Sequence, residues 1–112
     1  MQLRQGDVFL CALSAIPPDQ IQYESIPADA VAAPRGPHGV LLAAGKTTGH
    51  HHAIASEEAE LFVREGVRFL RARTPVALTH EEHSTIMIPA GEYRVTGHHE
   101  YEPGELPRQV ED

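Results

Sequence analysis

Two short groups of histidines are the residues best suited to chemistry in this sequence. His50 and His52 flank His51 in one group, and His80 and His83 form the other. Imidazole nitrogen is the commonest protein ligand for borderline transition metals, and two pairs from separate strands can supply three or four donors to one ion. The spacing therefore predicts a site for a divalent transition metal such as Zn, Mn, Fe or Ni.

Two glutamates near the histidines are candidate further ligands. Glu57 follows the first group, and Glu81 lies within the second. Two histidines with one carboxylate leave coordination positions open, as in non-heme iron sites. A bound metal would act as a Lewis acid, or activate water or oxygen, on a small-molecule substrate, with either glutamate as ligand or base. The competing interpretation is that both histidine groups are polar turn residues exposed to solvent.

The order of residues 80–83 argues against one known class of metal site, and the remaining histidines are not counted among the predicted ligands. The sequence His-Glu-Glu-His differs from the metalloprotease motif, because that motif places its histidines four residues apart on a helix. Here the spacing is three, and the flanking residues are typical of strands. His98 and His99 near the acidic end are interpreted as exposed, with an extension of the metal site as the alternative, and His38 is interpreted as structural or exposed.

Short strands must position the histidines. Apolar runs and alternating segments, separated by glycine, proline and acidic turns, indicate an all-β fold, a small and mostly antiparallel β-barrel or sandwich. Alternation within residues 50–55 places His50 and His52 on one face and His51 on the other. The predicted strands cover residues 7–13, taken as the first strand, and residues 40–44, 50–55, 61–64, 67–71, 76–80, 85–88 and 92–96.

Three regions are less regular. Residues 14–39 contain five prolines, which predicts a long loop with at most an edge strand at 21–26. A loop of this length is typical of a lid or binding loop over the histidine site, although a disordered excursion is an equal alternative. Residues 56–66 fit a short helix or part of a hairpin, and their Glu-Gly turn favours the hairpin. The acidic residues 100–112 are predicted to be irregular.

Composition excludes several classes of protein. A length of 112 residues fits one domain, and a net charge of -7 with Lys46 as the single lysine argues against a binder of duplex nucleic acid. The chain has no apolar run near the roughly 20 residues of a membrane span and no signal-peptide pattern, so we expect a cytoplasmic location. Cys11 is the only cysteine, which excludes an intrachain disulfide, and its apolar neighbours predict a buried position. Unpaired strand edges lead us to expect a homo-oligomer.

Two segments resemble the motifs of the cupin family. Gly-His-His-His followed by Glu57 is similar to the first cupin motif, and Ile-Pro-Ala-Gly at 88–91 is similar to the turn of the second. The resemblance implies a metal held by His50, His52 and Glu57. The chain departs from the cupin pattern at Arg94, in the segment where that pattern has its last histidine.

The chain also resembles small bacterial proteins that combine an early Gly-Asp-Val, a Thr-Gly-His-x-His, and a Leu-Thr-His-Glu-Glu-His followed by Pro-x-Gly. That resemblance implies no activity, so two hypotheses stay open. In the first, a metal-binding β protein acts on a small molecule. In the second, a non-enzymatic module binds a protein partner through a β edge or the proline-rich loop, and its histidines are surface groups or a pH-responsive cluster.

Overall fold

The computed structural model describes residues 1–44 and 49–97, and these ranges consist mainly of β-strands. The 3₁₀ turn Leu13–Ala15 follows the second strand, and no helix in the described ranges is long and apolar enough to cross a membrane. The expectations for Lys46, His98, His99 and residues 100–112 lie outside the described residues. The strands are β1 (Gln2–Gln5), β2 (Val8–Ala12), β3 (Val31–Ala32), β4 (Val40–Ala44), β5 (His51–Ile54), β6 (Ala59–Arg64), β7 (Val67–Ala72), β8 (Val76–Leu78), β9 (Ile86–Ile88) and β10 (Gly91–Gly97).

Six of these strands form the larger sheet, in the order β1-β2-β10-β7-β6-β3. Every neighbouring pair in this sheet is antiparallel. Tight two-residue turns explain two of the hairpins, because Gln5 pairs with Val8 in one and Arg64 with Val67 in the other. The first of these turns is Gly6-Asp7, and it holds β1 at the edge of the sheet.

The other four strands form two hairpins, β4–β5 and β8–β9. Ala53 of β5 and Thr79, the residue after β8, exchange both backbone hydrogen bonds, with N–O distances of 2.9 and 3.0 Å. This bridge joins the hairpins edge to edge. The four strands therefore act as a second layer, which faces the larger sheet.

An aliphatic core fills the space between the two layers. Strand alternation turns one face of each layer inward, as expected for a β-sandwich. This arrangement confirms the predicted all-β, mostly antiparallel class, and the sheets of the described residues form a sandwich and do not close into a barrel. The larger sheet contributes Leu10, Leu70 and Tyr93, the hairpins contribute Leu42, Ile54 and Leu78, and each of these side chains is at most 1% exposed.

The proline-rich loop covers the opposite face of the larger sheet. Ile16 and Ile26 pack there with Cys11 and Phe69 in a second buried cluster. The ring of Tyr23 meets Phe69 edge to face, with centroids 5.0 Å apart. The buried position predicted for Cys11 is therefore confirmed. The last turn of the loop, residues 36–39, reaches β5, where Gly39 lies against the Ile54 carbonyl and the His38 ring against that of His51.

Most strand predictions are confirmed, including the hairpin of β6 and β7 in place of a helix. The choice of residues 7–13 as the first strand was wrong, because the polar strand β1 precedes them. An edge strand at 21–26 was also wrong. There the Gln22 side-chain amide donates to three carbonyls of residues 16–20, the Ile26 N–H donates to a glutamate side chain, and the segment is irregular. The edge strand in this loop is β3, which pairs with β6.

Candidate functional site

Three histidines from two separate parts of the chain meet at one end of the sandwich. His52 lies in β5, while His80 and His83 lie in the connection between β8 and β9. One ring nitrogen from each lies within 4.8 Å of the other two. His52 is fully buried and His80 is 8% exposed. The donor set is therefore shielded from solvent on most sides.

The pairing of β5 with β8 explains why these rings meet. The bridge between Ala53 and Thr79 is antiparallel, so the next residues in register are His52 and His80. Directly opposed residues on neighbouring antiparallel strands have side chains on the same face, about 5 Å apart. The ring centroids of His52 and His80 are 4.2 Å apart, and those of His80 and His83 are 4.5 Å apart.

A buried glutamine orients the His52 ring. The Gln5 amide nitrogen donates to the carbonyls of Leu78 (2.8 Å) and Ser84 (3.0 Å), which fixes the amide oxygen on the other side. That oxygen lies 2.9 Å from Nδ1 of His52, and Gln5 is only 3% exposed. Because an amide oxygen only accepts hydrogen bonds, Nδ1 must carry the proton. A neutral His52 therefore has its lone pair on Nε2, the nitrogen suited to a metal.

His80 has the opposite arrangement of ring nitrogens. Its Nδ1 accepts the backbone N–H groups of Glu82 (3.0 Å) and His83 (3.2 Å). A neutral His80 therefore carries its proton on Nε2. A metal bound at this ring either takes the place of that proton or requires the ring to turn over about the Cβ–Cγ bond. In the first case, metal binding releases a proton.

Gly6 packs directly against the rings of His52 and His83. Gly6 has a φ of +54°, and a Cβ built on it would lie 2.7 Å from Nε2 of His83 and 3.1 Å from Cε1 of His52. A side chain at this position would push His83 away from its neighbours. The β1–β2 turn therefore needs glycine both for its backbone conformation and for the space that the imidazoles occupy.

The other two histidines of the first group pair with acidic residues of the second. Nδ1 of His50 lies 3.0 Å from a carboxylate oxygen of Glu82, and the His50 ring meets the His80 ring edge to face at 5.3 Å. The backbone N–H of His51 donates to Glu81 at 2.7 Å. This bond is the main reason that the pKa of the Glu81 carboxyl is about 2, well below its ordinary value.

The structure thus brings together three of the six predicted ligands. His50 precedes β5 and lies beside the group. The Glu81 carboxylate accepts a hydrogen bond from the His51 N–H. Glu57 is exposed in the connection between β5 and β6, where its carbonyl accepts a hydrogen bond from Arg73. The closest set of donors among the described residues is His52, His80 and His83.

Sequence analysis missed Gln5 and Gly6. Gln5 stands in a short polar segment with no apolar run, and a single amide carries no local sign of burial. The signal that was available is the Gly6-Asp7 turn, because a two-residue turn before β2 predicts a hairpin partner for that strand.

A cleft of about 510 Å³ adjoins the histidines. One wall is the turn at residues 37–39, another is the outward face of β5 with Ala53 and the following Ala55, and residues 79–81 complete it. Since His80 also lines this cleft, it belongs both to the cleft and to the candidate metal group.

Comparison with known proteins identifies one family. No curated protein and no solved structure matches the chain. The model of a domain of unknown function, DUF8820, matches residues 4–98, a range that includes Gln5, Gly6 and all three grouped histidines. The chain therefore belongs to the DUF8820 family.

Proposed function

We propose that this protein binds one divalent transition metal ion through His52, His80 and His83. The observation that carries the proposal is the convergence of three imidazole nitrogens within 4.8 Å in a largely buried position. Three histidine ligands with an open fourth position are typical of catalytic zinc sites, and imidazole also suits Fe, Ni and Co. The open position would accept water or a small-molecule substrate.

The geometry requires only a small closure around an ion. Metal–nitrogen bonds of about 2.05 Å at tetrahedral angles separate ligand atoms by about 3.3 Å. The nitrogens all lie within 4.8 Å of one another, so no pair has to close by more than about 1.5 Å. Closure of this size would come from movement of His80 and His83, while Gln5 keeps His52 in place.

A metal in this position would act as a Lewis acid or lower the pKa of a bound water, so hydrolytic or related chemistry on a small molecule is the reaction class that we propose. His50 stays predicted as a further ligand, and Glu57 and Glu81 stay predicted as ligands or bases. A small-molecule substrate, a homo-oligomer, a cytoplasmic location and the lack of duplex nucleic-acid binding likewise stay predictions.

Calorimetric titration of tag-free protein with Zn, Mn, Fe(II), Co and Ni tests the proposal. We expect one site per chain, and we expect His52→Ala and His83→Ala each to weaken binding at least tenfold. His38→Ala is the matched control, because it removes an imidazole outside the group and should leave the affinity unchanged. Absence of binding by all five metals, or equal affinity in the His52→Ala/His83→Ala double variant, would refute the proposal and leave the protein-interaction hypothesis.

A further inference from the structure

The cleft beside His80 has the volume of a small-molecule site. Its volume of about 510 Å³ falls within the roughly 300–1,000 Å³ of known ligand pockets. At its floor, His52 and Ile54 are fully buried in the sandwich, while the small side chains of Ala53, itself 5% exposed, and of the exposed Ala55, which follows the strand, line the cleft. Because both of these side chains are only methyl groups, they occupy little of the cleft.

The opposite wall is held firmly against this floor. Gly39 has a φ of +88°, and a Cβ built on it would lie 2.3 Å from the carbonyl oxygen of Ile54. Such close backbone contact is possible only for glycine. Arg35 fixes the start of the same turn, since its guanidinium donates to the carbonyls of Ala55, Ser56 and Ala59 at 2.9–3.1 Å. The cleft is therefore bounded by backbone that is tied down on both sides.

The charge of the lining residues selects the ligand. Glu81 is the only acidic residue among those that line the cleft in the described part of the chain, and neither lysine nor arginine is among them. One Glu81 oxygen accepts the backbone N–H of His51, and the other lies 3.5 Å from Nδ1 of the same residue. A carboxylate offers about four acceptor sites, so it retains capacity for a donor in the cleft.

Apolar and aromatic surface lies next to this carboxylate. The His38 and His51 rings lie side by side with centroids 4.4 Å apart, and Pro37 belongs to the same wall. A flat apolar group would contact these rings and the alanine floor, while an ammonium group on it would reach Glu81.

We infer that the cleft binds a small molecule carrying a protonated amine next to a compact apolar body. The ammonium group pairs with the Glu81 carboxylate, and the apolar body packs on Ala53, Ala55 and the turn at residues 37–39. The inference goes beyond metal binding and does not require it. A ligand held there lies against His80 and so next to the candidate metal group.

NMR titration of the full-length, isotope-labelled chain with benzylamine tests this site. The matched probes are benzyl alcohol, which lacks the charge, and benzoate, which reverses it. Each titration is run on chelator-treated and on zinc-loaded protein, because an amine can also bind a metal. We expect benzylamine to bind chelator-treated protein with a Kd of roughly 1–10 mM, as is usual for a ligand of this size, and to shift the amides of residues 37–39, 51–55 and 79–81.

Three variants separate the contributions. Glu81→Gln keeps an acceptor for the His51 N–H but removes the charge, so benzylamine should bind about fivefold more weakly or worse. Glu82→Gln removes the neighbouring charge outside the cleft and should have little effect. Ala55→Phe places a ring at an exposed position on the floor and should abolish binding by filling the cleft.

Several results would overturn the inference. These are equal binding of benzyl alcohol or benzoate, no saturable shift in the chelator-treated protein, full binding by Ala55→Phe, or equal effects of the Glu81 and Glu82 variants. Binding that occurs only in the zinc-loaded protein would assign the amine to the metal, which would support the metal site and refute the cleft.

Discussion

Replacement of Gln5 by leucine is the sharpest test of how the site is built. The side chain is buried and makes three hydrogen bonds, to Nδ1 of His52 and to the carbonyls of Leu78 and Ser84. A net hydrogen bond contributes about 0.5–1.5 kcal/mol, so their loss in Gln5→Leu should lower the free energy of unfolding by about 2–4 kcal/mol. For a chain of this size that corresponds to a fall in Tm of roughly 8–17 °C.

The same variant should weaken metal binding. Without the amide oxygen, His52 loses the acceptor that holds the proton on Nδ1. The tautomer with its lone pair on Nε2 is then no longer favoured by Gln5. Loss of a partner that orients a ligand typically costs roughly 10–100-fold in metal affinity. Urea unfolding and calorimetric titration with zinc measure the two effects separately. Gln2→Leu, an exposed change of the same type on the same strand, is the control and should leave both quantities unaltered.

A double variant separates orientation from stability. In Gln5→Leu/His52→Leu the imidazole that the single change leaves without its acceptor is also removed. Because most of the penalty comes from buried groups that lose their partner, the double variant should be destabilised by less than the sum of the single changes. Unfolding of Gln5→Leu within about 0.5 kcal/mol of wild type, or an unchanged zinc affinity, would show that this account of Gln5 is wrong.

Three further predictions follow from neighbouring contacts. Gly6→Ala places a methyl group 2.7 Å from Nε2 of His83 at a positive φ, so it should lower the free energy of unfolding in urea by about 1–2 kcal/mol and weaken zinc binding. Gly66→Ala, also at a positive φ but with open space around it, should lower stability alone. The pKa of the Glu81 carboxyl is lowered to about 2, so the stability that its charged form contributes is complete above pH ~4.5 and is lost as the pH falls through about 2. Carbon NMR titration of the carboxyl should find this midpoint. An ordinary pKa would contradict the His51 hydrogen bond. Arg35→Met removes three bonds to backbone carbonyls and should lower unfolding free energy by about 1–2 kcal/mol, with the largest amide shifts at residues 36–39 and 55–59.

The fold class was predictable because it depends on local pattern. Apolar runs and alternating segments separated by glycine and proline identify β4 and β6 to β10 directly. β1 was missed for the same reason, since Gln2–Gln5 contains one aliphatic residue, and its pairing with β2 is not visible in a local pattern. The segment at residues 21–26 alternates as a strand does. In the structure, however, the Gln22 side-chain amide bonds to the preceding turn and the Ile26 N–H bonds to a glutamate side chain.

The convergence of the histidines depends on register, which no local pattern contains. His52 and His80 are opposed only because Ala53 bridges to Thr79, and a shift of one residue would turn one of the rings to the other face. Alternation placed His52 on the face opposite His51, and the structure buries His52 while His51 is half-buried. It also grouped His50 with His52, but β5 begins at His51, and His50 pairs with Glu82 beside the group. Metal binding by any of these residues stays a prediction.

The three consecutive histidines at 50–52 share one feature that bears on function. Each presents Nδ1 to a side-chain oxygen, from Glu82, Glu81 and Gln5 in turn. At His52 the Gln5 oxygen accepts from Nδ1 at 2.9 Å, so the neutral ring has its lone pair on Nε2, a tautomer suited to a metal ligand. His52 combines this with full burial. Gln5 also donates to the carbonyls of Leu78 and Ser84, so the polar pair supports the fold as well as the ring. A buried nitrogen held in one tautomer beside two other imidazoles is, in addition, the arrangement that a metal ligand requires.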